Sequence, residues 1–158
     1  FAFRRSWRGR IHGFHRALRV WSFHHRGTPE RPGLVLGLDR GGCCTGCVFE
    51  VDARDKQAVA EYLWAREMVT SVYIPRLVHA TSGDGSVTAL TFVLDHRHEQ
   101  YAGALAPDSA AANVLNAEGL SGANPEYVRE TVAGLERLGI HDRGLRQVLA
   151  AMDQQETR

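Results

Sequence analysis

Glu67 is the residue whose type and spacing first suggest proton-transfer chemistry. Val59, Leu63 and Glu67 stand four residues apart, so on a helix they share one face. If the two apolar residues face a core, the carboxylate goes with them. The helix is expected to begin at Asp52 as its N-cap, with Asp55 in the first turn, and to run to Glu67 or Met68. Glu67 then lies in the last turn, at the negative pole of the helix dipole, where an acid is disfavoured. Partial burial and the dipole both oppose ionisation, and both raise the pKa from about 4.3. A carboxylate shifted in that direction serves as a general acid or base near neutral pH. The competing reading pairs Glu67 with Arg66 or Arg76, or turns it to water. Spacing alone leaves both readings open.

The other reactive residue types form weaker patterns. The chain has three cysteines, Cys43, Cys44 and Cys47, an odd number in one cluster, where a disulfide framework would spread an even number along the chain. Cys44-Thr45-Gly46-Cys47 is formally a CxxC, which fits a redox pair, half of a zinc site, or small apolar residues in or beside a strand. A structural zinc site needs four ligands, and His24 and His25 could join only through the fold. Asp95-His96-Arg97-His98 reads as metal ligands or as a turn at a strand end, and the turn is expected. Ser6, Ser22 and Ser71 lack the context of a nucleophile elbow. Gly37 to Gly46 fits neither phosphate-binding glycine pattern, which removes the usual nucleotide readings.

These residues must be positioned by one ordinary domain's worth of chain: 158 residues, 17.5 kDa, 44% hydrophobic and 23% charged. The net charge of +1 makes no global case for nucleic acid or membrane. Arg4, Arg5, Arg8, Arg10, Arg16, Arg19 and Arg26 crowd the N-terminal part. They read as a phosphate-binding arm or as solvated outward positions of a strand, and the alternation from Arg10 to Trp21 favours the strand. No apolar run approaches the roughly 20 residues of a membrane span, and no apolar segment of a signal peptide follows Phe1–Arg10. The chain starts without methionine, so residues are expected ahead of Phe1. The free thiols point to a reducing, cytoplasmic compartment.

Strands are expected over Ile11–Phe23, Leu34–Leu38, Thr45–Val51, Val72–Ala80 and Ser86–Leu94. Turns are expected at Asp39–Gly42 and Ser82–Gly85, and a glycine- and proline-rich loop, a possible lid, at Gly27–Gly33. Later helices are expected near Asp108–Ala117, Pro125–Leu138 and Asp142–Met152, with Pro125 at a first turn and Gly139 as a C-terminal cap. Strands first and helices later argue for a single α+β domain.

Three motifs then carry a family resemblance. His24-His25-Arg26-Gly27-Thr28-Pro29-Glu30-Arg31-Pro32-Gly33-Leu34-Val35-Leu36-Gly37-Leu38 resembles the central signature of the ChaC family. Leu63 to Tyr73 resembles its catalytic segment, and Ser121-Gly122-Ala123-Asn124-Pro125-Glu126-Tyr127 its SGPNxxY element, with Ala123 in the proline's place. Ala89–Val93 and Gln100–Gly103 also fit. The resemblance implies a mixed β-barrel with flanking helices, of the gamma-glutamylcyclotransferase type. It implies cleavage of glutathione to 5-oxoproline and cysteinylglycine with neither metal nor organic cofactor, and it puts the acid/base glutamate on Glu67. The family also carries a YGSL-type loop that cradles the glutamyl group with backbone amides, shortly before the stretch matching Phe1–Arg4. That loop is not among these residues.

With glutathione as the implied substrate, Arg26 is expected to hold a carboxylate and Tyr73, Tyr101 and Tyr127 to donate to substrate oxygens, each against the alternative of a purely structural role. Two rival readings share the fold: a gamma-glutamyl amino acid or amine cyclotransferase, and a non-catalytic gamma-glutamyl-binding module. No nucleic-acid or membrane partner is expected.

Overall fold

The computed structural model describes residues 1–83 and 85–157. In chain order the elements are β1 (Arg5–Ser22), β2 (Gly33–Glu50), α1 (Lys56–Glu67), β3 (Tyr73–Ser82), β4 (Gly85–Leu94), α2 (Pro107–Leu115), β5 (Glu118–Gly119), β6 (Gly122–Ala123), α3 (Asn124–Arg137) and α4 (Arg143–Glu156). The α+β class is as expected. Contacts divide the chain into two compact units. One holds Phe1–His15 and Leu38–His98, and the other holds Arg16–Gly37 and the chain from Glu99. β1 and β2 run through both. No helix among the described residues is long and apolar enough to cross a membrane.

The first unit is built on β3 and β4, which pair antiparallel from Tyr73↔Leu94 to Ser82↔Gly85. The expected hairpin is therefore present, although Asp84 in its turn lies outside the described residues. β1 joins β3 antiparallel at Arg10↔Thr81, and the Thr81 hydroxyl donates to the Arg10 carbonyl at 3.1 Å. The sheet order is β2-β1-β3-β4. Among the described residues it is an open sheet with β2 and β4 at its edges, where the family resemblance implied a mixed β-barrel. Closure needs every edge strand paired with another strand. Within the second unit, part of β2 is paired with side chains: Leu34 with Asn124, and Leu36 with Tyr127.

Two sequence expectations shift here. The turn expected at Asp39–Gly42 does not reverse the chain. Gly41 and Gly42 take φ of 92° and 69°, and the left-handed pair bends one continuous 18-residue strand. Asp52 is not the N-cap of α1. Its carboxylate accepts from the Arg54 backbone N–H at 3.1 Å and its carbonyl from Asp55 N–H at 3.0 Å. That local turn uses the groups a cap would offer, and the helix starts after Asp55. Val59, Leu63 and Glu67 do share the shielded face of α1. They are only half-buried, no residue of the helix is fully buried, and Trp64 is 55% exposed.

The core of the second unit joins Leu18 and Leu34 to Ala110, Ala111 and Val114 of α2, Val128 and Val132 of α3, and Leu145, Val148, Ala151 and Met152 of α4. The helical spacings three and four apart put these on single faces. Pro125 falls in the first turn of α3. The expected cap at Gly139 closes its end: Gly139 N–H donates to the Glu136 carbonyl and Ile140 N–H to the Leu135 carbonyl, both at 2.9 Å. The four residues of β5 and β6 are too few to show any period in the sequence.

Asp142 caps α4. Its Oδ1 accepts from Leu145 N–H at 3.1 Å and its Oδ2 lies 3.2 Å from Arg16 Nη1, with both side chains largely shielded from water. Asp142→Ala should therefore destabilise the protein by about 1–2 kcal/mol, most of it the lost cap. Urea denaturation should show a lower midpoint at an unchanged slope, and an unshifted midpoint would mean that neither interaction contributes.

Candidate active site

Glu67 is the last residue of α1. Its side chain is 30% exposed, and Oε1 lies 3.4 Å from Arg66 Nε. Of the two arginines the sequence offered as partners, Arg66 is the one at ion-pair distance, so a surface-screened contact accompanies the shielded carboxylate. Arg66 is itself held by Tyr62, whose hydroxyl accepts from Nη1 at 3.5 Å.

The chain leaves α1 sharply. Met68 N–H still donates to the Trp64 carbonyl at 3.0 Å. Ser71 then takes φ of 59°, a conformation that costs a residue with a Cβ roughly 1 kcal/mol or more. Val72 is buried and its carbonyl accepts from Asp95 N–H at 2.9 Å. Glu67 and Tyr73 thus flank one strained connection whose far end is anchored to the end of β4.

In the second unit Arg26 and Tyr127 come together: the Arg26 guanidinium carbon lies 5.2 Å from the Tyr127 ring centroid, a cation–π stack. Arg26 Nη1 donates to the Ala123 carbonyl at 3.4 Å, and Arg26 N–H donates to the Ser22 hydroxyl at 3.0 Å. The Tyr127 hydroxyl accepts from Leu36 N–H at 3.1 Å. Burial pushes that hydroxyl's pKa up, against smaller opposing effects of Leu36 N–H, Arg26 and Thr131. Tyr101 is in the same unit, bridged antiparallel to Val20 and flanked by bonds from Trp21 N–H to the Gln100 carbonyl and from Ala102 N–H to the Arg19 carbonyl, each 2.8 Å.

The loop read as a possible lid is pinned at both ends. A Cβ on Gly27 would lie 2.1 Å from the Gly33 nitrogen, and one on Gly33 would lie 2.1 Å from the Arg26 carbonyl oxygen. Leu120 N–H and Ser121 N–H donate to the His24 and His25 carbonyls at 2.9 and 2.8 Å. Only the tip, Thr28–Arg31, is exposed.

Sequence reasoning missed Asn124, which it took only as part of a helix start. Its side chain is fully buried. Oδ1 accepts from Leu34 N–H at 2.7 Å and Nδ2 donates to the Leu34 carbonyl at 2.9 Å. The signal was available: an amide residue in one motif needs a partner, and the Gly33–Leu38 motif supplies a strand edge. Sequence reasoning also missed the pairing of His96 Nε2 with the carboxylate of buried Asp39. The cysteines are free thiols, and Arg10 Nη2 approaches Cys43 Sγ at 2.7 Å. Among the described residues no three His, Cys, Asp or Glu side chains are placed to hold a metal ion.

The family model of the ChaC-like proteins matches residues 1–155. The chain belongs to the ChaC family. This ChaC chain is 32% identical over 151 residues to the glutathione-specific gamma-glutamylcyclotransferase of Escherichia coli (strain K12), covering 95% of the chain and 65% of that protein. It is 31% identical over 133 residues to glutathione-specific gamma-glutamylcyclotransferase 1 of Mus musculus, covering 81% of the chain and 60% of that protein. The chain therefore spans less than two thirds of the length of these relatives. A crystal structure of a yeast gamma-glutamyl cyclotransferase specific to glutathione superimposes with a TM-score of 0.80 at 21% identity, over 96% of this chain and 89% of that one. That match establishes the gamma-glutamylcyclotransferase-like fold.

The environment of Tyr127 yields a measurable consequence. The folded pKa lies above the unfolded value of about 10, so the folded state holds this proton where the unfolded state has lost it. This group's contribution to stability is full below about pH 10 and is lost as pH rises through the folded value. The chain has four tyrosines. Absorbance titration of the folded protein near 295 nm should show the Tyr127→Phe variant missing a step that ionises above the free-tyrosine range of about 10. Loss of a step within that range instead would show that burial does not govern this hydroxyl.

Proposed function

We propose that the chain is a glutathione-specific gamma-glutamylcyclotransferase in which Glu67 carries the proton transfers. The observation that carries this reading is the half-buried carboxylate at the end of α1, in a chain of the ChaC family. The names of the E. coli and mouse relatives support glutathione as the substrate. We take residues 1–158 as one domain, because β1 and β2 run unbroken through both units. The free thiols support a cytoplasmic setting.

In the proposed reaction the α-amino nitrogen of the glutamyl unit attacks its own side-chain carbonyl carbon. A C–N bond forms to close the five-membered ring, and the C–N bond to the cysteinyl nitrogen breaks. Glu67, as carboxylate, takes the proton released by the attacking amine and delivers it to the departing cysteinyl nitrogen. The products are 5-oxoproline and cysteinylglycine. Both reacting atoms belong to one molecule, so holding the folded substrate conformer supplies much of the acceleration.

Arg26 is the proposed carboxylate-binding residue. Among the described residues only the Ala123 carbonyl lies within hydrogen-bond distance of its guanidinium, which leaves further N–H donors for a bidentate partner. Tyr127 serves it as a stacking platform, since its hydroxyl already accepts from Leu36 N–H. Tyr73 and Tyr101 are the proposed hydroxyl donors to substrate oxygens.

Glu67→Gln in the natural full-length protein should lower 5-oxoproline release from glutathione by about 10²-fold or more while leaving the melting temperature nearly unchanged. Release near the wild-type rate would reject Glu67 as the proton-transfer group. Faster release from a gamma-glutamyl amino acid than from glutathione would move the substrate assignment to the broader cyclotransferase class. Glutathione binding with no product from the wild type would favour a non-catalytic module.

A further inference from the structure

A buried position needs no amide if its role is only to fill space; an apolar side chain of that size serves, and an amide adds direction at the cost of desolvation. Asn124 is completely buried, yet both of its polar atoms are matched, to the N–H and the carbonyl of one residue, Leu34. It takes the place of a neighbouring strand at a single position of β2.

What lies against that position is the Arg26 loop. A Cβ on Gly33, the residue before Leu34, would sit 2.9 Å from Asn124 Oδ1 and 2.1 Å from the Arg26 carbonyl oxygen. Amide, Gly33 and Arg26 backbone are therefore stacked with no slack. The Arg26 side chain is held by the two residues that bracket the start of α3: the Ala123 carbonyl, immediately before Asn124, and the Tyr127 ring, one helical turn after it. Arg26 is thus fixed through its backbone and its guanidinium by groups that Asn124 ties to β2.

We propose that Asn124 is a positioning residue for the reaction: its amide locks Leu34 and Gly33 beneath the Arg26 loop and so sets where the Arg26 guanidinium meets the substrate carboxylate. This rests on the reading of Arg26 as the carboxylate-binding residue, and it adds a residue that never touches substrate.

The test is a double-mutant cycle on the full-length protein with glutathione as substrate. Asn124→Ser should raise KM by about tenfold and leave kcat within about twofold. In an Arg26→Ala background the same substitution should add less than about twofold, because its effect runs through Arg26. An equal rise in both backgrounds, or a fall in kcat at unchanged KM, overturns the proposal. If the wild type releases no cysteinylglycine, the functional reading fails first, and Asn124 is judged by amide hydrogen exchange. Exchange at Arg26 N–H about tenfold faster in Asn124→Ser, with α4 unchanged, supports the lock, and unchanged exchange overturns it. If Asn124→Ser does not fold, Ser22→Ala releases the same loop at the Arg26 N–H. A raised KM at constant kcat then supports the proposal, and unaltered kinetics overturn it.

Discussion

The second unit depends on how the edge of β2 is satisfied. An edge strand presents backbone N–H and carbonyl groups that must find partners once water is excluded. Around Leu34, fully buried, no further strand among the described residues supplies them. Asn124 bonds both groups of Leu34, and Tyr127 accepts from Leu36 N–H. Leaving such groups unpaired would cost on the order of 1–3 kcal/mol each, so α3 must begin where it does and must carry an amide and a phenol three residues apart. The two motifs that look independent in the sequence are the halves of one hydrogen-bonded contact.

That contact explains the density of glycine around it. Once β2 is tied to the start of α3, the loop leading into β2 has no room for side chains where it folds back on itself. Gly27 and Gly33 meet backbone at distances no Cβ could occupy, and a Cβ on Gly119 would lie 2.5 Å from the His24 carbonyl oxygen. The composition that reads as flexibility is here a requirement of close approach. The loop is fixed at its base, and what it presents is Arg26, stacked on the same Tyr127 that closes the strand edge.

How much of this was legible depended on the range of the interaction. Local signals were read well: the β3–β4 hairpin, Pro125 in the first turn of α3, Gly139 at its end and a last helix beginning near Asp142. The shared face of Val59, Leu63 and Glu67 followed from helical period, although α1 is less buried than that period implied. Signals failed where a residue had two local uses. Asp52 could cap a helix or close its own turn, and it closed the turn. Gly41-Gly42 could reverse a strand or bend it, and they bent it. The long-range pairs, Asn124 with Leu34 and His96 with Asp39, span 90 and 57 residues. Local sequence shows that such a side chain needs a partner but does not single out which residue that partner is. Their only trace was a polar side chain flanked by residues that pack.

The position of Glu67 follows a similar logic of constraint. A carboxylate in the middle of a packed helix face would be costly to bury, and one on the open face would be fully hydrated. At the final residue of α1 it keeps the shielding of the Val59–Leu63 side while the helix ends beneath it. The connection that follows cannot drift, because Ser71 is held in a left-handed conformation and Val72 is bonded to the end of β4. Strain at one residue of about 1 kcal/mol is small against the cost of misplacing the proposed proton-transfer group, since even 1 Å of displacement can slow a reaction about 10²-fold. For the proposed intramolecular cyclisation, in which the substrate would bring its own nucleophile, such placement of a single carboxylate would be a large part of what the protein must supply.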